Sequence, residues 1–357
     1  MTKDRISYID FGAGIMILWM ILGHAFGTAW GLQMYGLWDV KDISLLPQGP
    51  PYYTKEDGTI SILSFWAFYP YLHFFMPWFF YKSGQFFSHR SITEEWKKDW
   101  GKLMCQFLIW SAFGYMLYVG FCYIEGILTL RQISYRVLKT FFLEGHIQLN
   151  VPLWFLFTLF CVRQIANIIL PKQDSRFYWI QCISVILLGY IVSYTAFRYN
   201  HHLQPLWVAN GAAGLAFFTM GYCLQKYETK LWFIVPCLIG YIACCIWGFP
   251  VVGMRSNTLN TGIYLLNMPA CLCGIVLFNV LCRLISKYAP LLSRPFEYIG
   301  KYAMVIYVSH GLLYISIGKI LVDFEMITLM PYTLWIILGS YIVFLPLLCV
   351  LNKRLFN

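Results

Sequence analysis

Charge is what this sequence has least of. Asp, Glu, Lys and Arg make up 12% of its 357 residues, about half of the roughly 25% usual in soluble domains. Beside a content of 59% hydrophobic and 19% aromatic residues, that scarcity excludes a soluble globular protein and leaves an integral membrane protein. A cysteine framework is missing too, although the chain has 12 cysteines. Cys105, Cys122, Cys161, Cys182, Cys223, Cys237, Cys271, Cys273 and Cys349 stand inside apolar runs. The adjacent Cys244 and Cys245 have no metal-ligand spacing, and no Cys/His cluster completes a site, so they read as small packing residues and no metal is expected. Nor is there a basic tract. The net charge of +10 is spread over short loops between apolar runs, which is what membrane orientation requires and not what nucleic-acid binding requires. No shift in composition marks a soluble domain and no internal repeat is visible, so 1–357 reads as one transmembrane domain.

What is present is a series of apolar runs of bilayer length. About ten spans can be drawn, over 7–28, 62–87, 103–124, 152–170, 177–196, 206–225, 231–249, 261–282, 301–321 and 329–350. Breaks such as "SHRSITEEWKKDWGK", "PKQDSR", "QKYETK" and "SKYAPLLSRPFEY" separate them, and two longer polar segments, 29–61 and 125–151, fall on the opposite side. The fold class expected is therefore an all-α polytopic membrane protein with about ten transmembrane helices in one bundle. With the amino terminus inside, roughly 17 basic residues fall in cytoplasmic segments and roughly eight outside, so both termini are expected in the cytoplasm. Lys3 and Arg5 followed by an apolar stretch also suit a signal peptide. Asp10, His24 and the many later spans argue for a retained first helix instead.

That first span, "RISYIDFGAGIMILWMILGH", carries two groups that hydrocarbon disfavours. Asp10 and His24 differ by 14 residues, about 40° around a helix, so they share a face and lie about 21 Å apart along its axis. An ionised group at mid-membrane costs at least about 2.5–3.5 kcal/mol, so such groups normally turn to a bundle interior or a wet cavity. A hydrogen-bonded interior imidazole accounts equally well for His24, and a dipole-favoured helix start accounts for Asp10. In "LHFFMPWFFYKSGQFF" (72–87), Lys82 lies at a depth similar to that of Asp10. It snorkels to the interface, neutralises Asp10 structurally, or faces a cavity as a cation, with Ser83 and Gly84 forming a small polar turn beside it. In "NVPLWFLFTLF", Asn150 and Pro152 open a helix and Trp154 fits an aromatic belt. In "GKYAMVIYVSHGLL", Tyr307 precedes His310, which sits mid-span at a depth that demands a partner.

Together these pieces resemble the acyltransferase-3 family of integral membrane O-acyltransferases, and within it the sugar O-acetylase branch. The resemblance rests on Asp10, Gly14-Ile15 and Gly23-His24 in the first span, Met76-Pro77 and Ser83-Gly84 in the second, and Leu153-Trp154-Phe155-Leu156 in the fourth. "FFTMGYCLQK" closes the sixth span and "IGKYAMVIYVSH" opens the ninth. It covers nearly the whole chain, making 1–357 a single acyltransferase-3-like domain. It implies transfer of an acetyl group from cytoplasmic acetyl-CoA, a donor substrate used without a metal, to a hydroxyl of a cell-surface or lipid-linked glycan. His24 matches the family's catalytic histidine. The family's Arg or Lys eleven residues before that histidine is here Ala13, and its His before Met-Pro is Phe75, with His73 nearby. Lys82, at a matching depth, is the expected replacement for the missing cation. Ser83, Asn150, Trp154 and Tyr307 are the candidate oxyanion donors, with Asp10, Lys82 and His310 lining the cavity. The expected location is the inner or plasma membrane of a bacterium, with membrane lipids and a glycan as partners and no nucleic acid. A flippase or transporter of a lipid-linked sugar could use the same ionisable residues as a relay. The inverted repeats common in transporters are not visible here.

Overall fold

The computed structural model describes residues 7–26, 72, 74–124, 126, 128–146, 149–199, 206–247, 264–326 and 333–356. Among them all regular structure is helical, as apolar runs without strand alternation dictate. The first helix, α1, is Ser7–Phe26, and α2 is Phe75–Gln85. The short α3, Ile92–Asp99, passes through a π-helical turn into α4, Cys105–Val119. Then come α5 (Leu130–Glu144), α6 (Trp154–Ile169), α7 (Tyr178–Tyr199), α8 (Leu206–Leu224) and α9 (Leu231–Trp247). The series ends with α10 (Tyr264–Tyr288), α11 (Pro290–Lys301), α12 (Ala303–Asp323) and α13 (Thr333–Phe356). Among the described residues six helices are long and apolar enough to cross a membrane, and two shorter apolar ones cover Leu231–Ile246 and Trp335–Val350. The protein is an all-α polytopic membrane protein.

Three segments expected as plain connections contain helices, the first being the break after the second span, which holds α3 behind a capping box of Ser91 and Glu94. The stretch 125–151 contains α5, started by a capping box in which Thr129 and Gln132 exchange side-chain-to-backbone hydrogen bonds. It is stopped by Gly145, whose φ of 75° is the left-handed cap glycine adopts without strain. Its Ile133 and Val137 are buried while Leu130, Tyr135, Leu138 and Phe142 are exposed. The break after the eighth span contains α11, which begins with Pro290 in its first turn, where the missing N–H costs nothing. The segment 29–61 lies outside the described residues, as does most of 62–73.

Two glycine crossings set the register of the bundle. A Cβ on Gly14 of α1 would collide with the carbonyl of Phe296, and one on Gly300 of α11 with the carbonyl of Asp10. These helices therefore touch backbone to backbone, as small residues permit in membrane bundles. Ser7 adds a hydrogen bond from its Oγ to Glu297 Oε1 at 2.5 Å, joining residues 290 apart in sequence. The second crossing joins α2 and α8, where Gly84 faces the Phe218 carbonyl and Gly221 the Tyr81 carbonyl. The first crossing places α1 beside the helical stretch that continues into α12, and there the two central histidines meet.

Candidate active site

The register explains why they meet. His24 follows Gly14 by ten residues and His310 follows Gly300 by ten residues. Equal counts from a shared crossing bring both imidazoles to one level, about 15 Å along the axis from the glycines. Their ring centroids are 5.1 Å apart. Tyr314, one turn beyond His310, stacks on His24 at 5.3 Å with an interplanar angle of 13° and lies 6.4 Å from His310, so both rings of α12 meet His24 from the same helix. His24 is half-buried and faces α12, so it is turned into the bundle.

His310 is 1% exposed. Its Nδ1 lies 2.6 Å from the carbonyl oxygen of Tyr307. A carbonyl only accepts, so Nδ1 donates and carries the hydrogen, and Nε2 of the neutral ring holds a lone pair. The stretch of α12 that bears His310 is braced from three directions. Tyr307 donates its hydroxyl proton to the carbonyl of Pro152 and sets its ring edge-on to Phe155 at 5.6 Å. Asn150, fully buried, donates from Nδ2 to the carbonyls of Val308 (3.1 Å) and Trp110 (3.3 Å), which ties α12 to α4. Ser309 Oγ lies 3.0 Å from the hydroxyl of Tyr341 on α13, which donates to the Ile306 carbonyl at 3.1 Å. Leu149, just before Asn150, has φ 67°, a strained conformation for a branched residue that persists only where neighbours fix it.

These contacts revise several sequence expectations. Tyr307 spends its hydroxyl on Pro152 and Asn150 spends both amide hydrogens on backbone carbonyls, so they brace the site and do not point a donor at it. Trp154, expected in an interfacial belt, is 5% exposed and packs against Phe155. Ser83 lies at the other end of the bundle, where its Oγ accepts a hydrogen bond from Arg163 at 3.4 Å. Arg163 also pairs with Glu95, and with Asp99 at 2.7 Å, so α6, α2 and α3 are joined by one ionic cluster. Arg90 and Lys98 approach Glu95 at 3.4 and 3.5 Å.

Lys82 is 5% exposed. It donates to Gln85 Oε1 at 2.8 Å and stands over the rings of Tyr8 (5.2 Å) and Trp78 (5.7 Å). The Tyr8 ring also carries the guanidinium of Arg283 at 3.9 Å, and Arg283 pairs with Glu228 at 3.1 Å. Asn279 links this group to Trp78, accepting from the indole at 2.9 Å and donating to Glu228 at 2.7 Å. Lys82 is therefore at the level of Tyr8, in the first turn of α1. Sixteen residues, about 24 Å of helix, separate that level from His24. Asp10 belongs to this same end, half-buried, its carbonyl against Gly300. The structure brings His24 together with His310, and Lys82 together with Tyr8 and Arg283, but it does not bring the two groups together.

Tyr314 and the Tyr8–Arg283–Glu228 group were absent from the sequence reading. Tyr314 had a signal, since it stands four residues from His310 on a helix and so shares its face. Arg283 and Glu228 had none, because their partner lies on a different helix. Among the described residues no group of three His, Cys, Asp or Glu is arranged to hold a metal ion, and none of the 12 cysteines is in a disulfide.

A family model described as an acyltransferase domain (Acyl_transf_3) matches residues 6–351 of the chain. No curated protein and no solved structure matched it.

Proposed function

Because the chain belongs to the acyltransferase-3 family, and so is a multi-pass membrane enzyme that transfers acyl groups, we propose that it moves an acetyl group from cytoplasmic acetyl-CoA to a glycan hydroxyl. The glycan is at the cell surface or linked to lipid. The observation that carries this reading is the position of His24, an imidazole turned into the bundle about 24 Å of helix beyond the Tyr8 level. An ordinary imidazole titrates near pH 6.5, which suits it to accept a hydroxyl proton at neutral pH.

In the proposed reaction the neutral His24 takes the proton of the acceptor hydroxyl as its oxygen attacks the thioester carbonyl. The new C–O bond forms, the C–S bond breaks, and the sulfur leaves as thiolate. His24-H⁺ then returns the proton to sulfur, giving the acetyl ester and free CoA. Lys82 and Arg283 supply positive charge at the Tyr8 level, where an anionic donor entering from the cytoplasm would meet them. Lys82 thus serves as the cation that Ala13 does not provide.

The test uses the purified full-length protein in detergent, radiolabelled acetyl-CoA and a panel of glycans. Label is expected on a sugar, and His24→Ala is expected to lose about 10²- to 10⁴-fold in rate while eluting and melting as the wild type does. Wild-type turnover by that variant would remove His24 from the mechanism. Movement of a sugar across a vesicle membrane without its modification would replace the enzyme reading by a transporter.

A further inference from the structure

His310 has the features of a built-in acceptor, and nothing in the reaction above uses them. Its Nδ1–H is committed to the Tyr307 carbonyl, so its tautomer is fixed by its own helix. Its Nε2 is buried and has no hydrogen-bond partner. A buried polar atom left unpaired costs roughly 1–3 kcal/mol, and such exceptions call for an explanation. The nearest ring is His24, with centroids 5.1 Å apart and planes inclined by 47°. Two imidazoles joined by an N–H···N bond of ordinary length have centroids roughly 5 Å apart, so the spacing suits the bond, and what it lacks is a His24 N–H directed at Nε2. Turning the His24 ring about its last side-chain torsion, which is broad for histidine, is the movement that closes it. His310 itself is held by the Tyr307–Pro152, Asn150–Val308 and Ser309–Tyr341 contacts.

We infer that His310 is the positioning residue of His24: its Nε2 accepts a ring N–H from His24, which fixes the tautomer of His24 and puts the proton-accepting lone pair on the other ring nitrogen. This rests on the reading of His24 as the base. The bond puts the lone pair of His24 on the side away from α12. When His24 becomes protonated, its charge is delocalised toward a neutral acceptor without a second proton leaving, since Nδ1–H of His310 stays with the Tyr307 carbonyl.

Two isosteric variants separate this role from a structural one. His310→Gln carries an amide oxygen where Nε2 was and gives up the Nδ1–H. His310→Asn keeps an N–H near Nδ1 and gives up the acceptor. The Gln variant is expected to hold kcat within about 10-fold of wild type and the Asn variant to fall about 10²-fold or more, with KM for acetyl-CoA unchanged in both. The reverse order, or equal losses, would overturn the inference and make the bond to Tyr307 the part that matters. A second measurement does not depend on acyl transfer. In ¹⁵N-histidine spectra of the full-length protein in detergent, His24 is expected as a single tautomer in the wild type and in His310→Gln, and as a tautomer mixture in His310→Asn. Identical His24 signals in all three proteins overturn the pairing. A wild-type protein that shows the pairing but labels no glycan would leave it standing and fail the acetyl-transfer reading instead.

Discussion

Gly14 and Gly300 illustrate how much a single hydrogen atom in place of a methyl decides. Each faces the backbone of the other helix, so neither helix can withdraw a flexible side chain to make room. Overpacking a tight contact costs about 1–3 kcal/mol, and carbonyl groups are among the least yielding neighbours. Gly300→Ala is expected to lower the melting temperature in detergent by several degrees and to reduce activity further than the melting shift alone explains, because it moves α11 and with it His310. A variant with the wild-type melting curve and rate would show that the crossing does not set the register. The residues that brace the site are of the same kind. Tyr307→Phe removes the donor to Pro152 and leaves that buried carbonyl without its side-chain hydrogen bond. It is expected to destabilise by about 1–3 kcal/mol, read from thermal unfolding.

At the scale of the helix, the short α3 is held to the bundle mainly by charge. Its Trp96 and the adjoining Trp100 of the π-helical turn are exposed and stack at 5.8 Å, Trp96 sets an edge on Phe160 of α6, and Glu95 and Asp99 turn inward to Arg163. Removing one partner of a buried ionic group leaves the others uncompensated, at a cost of about 3–5 kcal/mol. Arg163→Met is therefore expected to destabilise strongly, and adding Glu95→Gln and Asp99→Asn is expected to recover much of the loss, with thermal unfolding of both proteins as the check. An additive triple variant would place the energy in packing instead. Three helices, α3, α5 and α11, lie in segments that the sequence marks as breaks between spans. Runs of continuous apolar residues were taken as the sign of a helix. The segment LRQISYRVLKTFFLE instead alternates charge and aliphatic groups at helical spacing. The Thr129–Gln132 box and Gly145 were legible as a start and a stop, but within a membrane protein a polar stretch between spans reads first as a loop.

Across the whole molecule the two charged or polar groups are separated by about 24 Å of helix, and under the proposed function that separation divides donor binding from chemistry. Lys82→Ala is expected to raise KM for acetyl-CoA several-fold or more while changing kcat little, whereas His24→Ala acts on kcat. The steady-state constants of both variants are the check, and a Lys82→Ala enzyme with the donor KM of the wild type would end the part assigned to Lys82. Adding Ala13→Arg, which sits about 7.5 Å further along α1 than Tyr8, is expected to restore part of the donor binding. The all-α polytopic class was legible, because the length and polarity of an apolar run are set locally by the bilayer. The partners were not. Tyr307 and the Pro152 carbonyl that receives its proton are 155 residues apart, and no spacing rule reaches that far. Lys82 meets Tyr8 of another helix, whose ring also carries Arg283 of a third, and no spacing within one helix shows such company.

The pairing of α1 with α11 also has a consequence in time. Translation proceeds at about 5–20 residues per second, so the first helix waits roughly 15–60 s in the bilayer before the partner of Gly14 emerges from the ribosome. Until then its glycine face is open to whichever lipid or chaperone reaches it. The two imidazoles become neighbours only when the last third of the chain has been inserted.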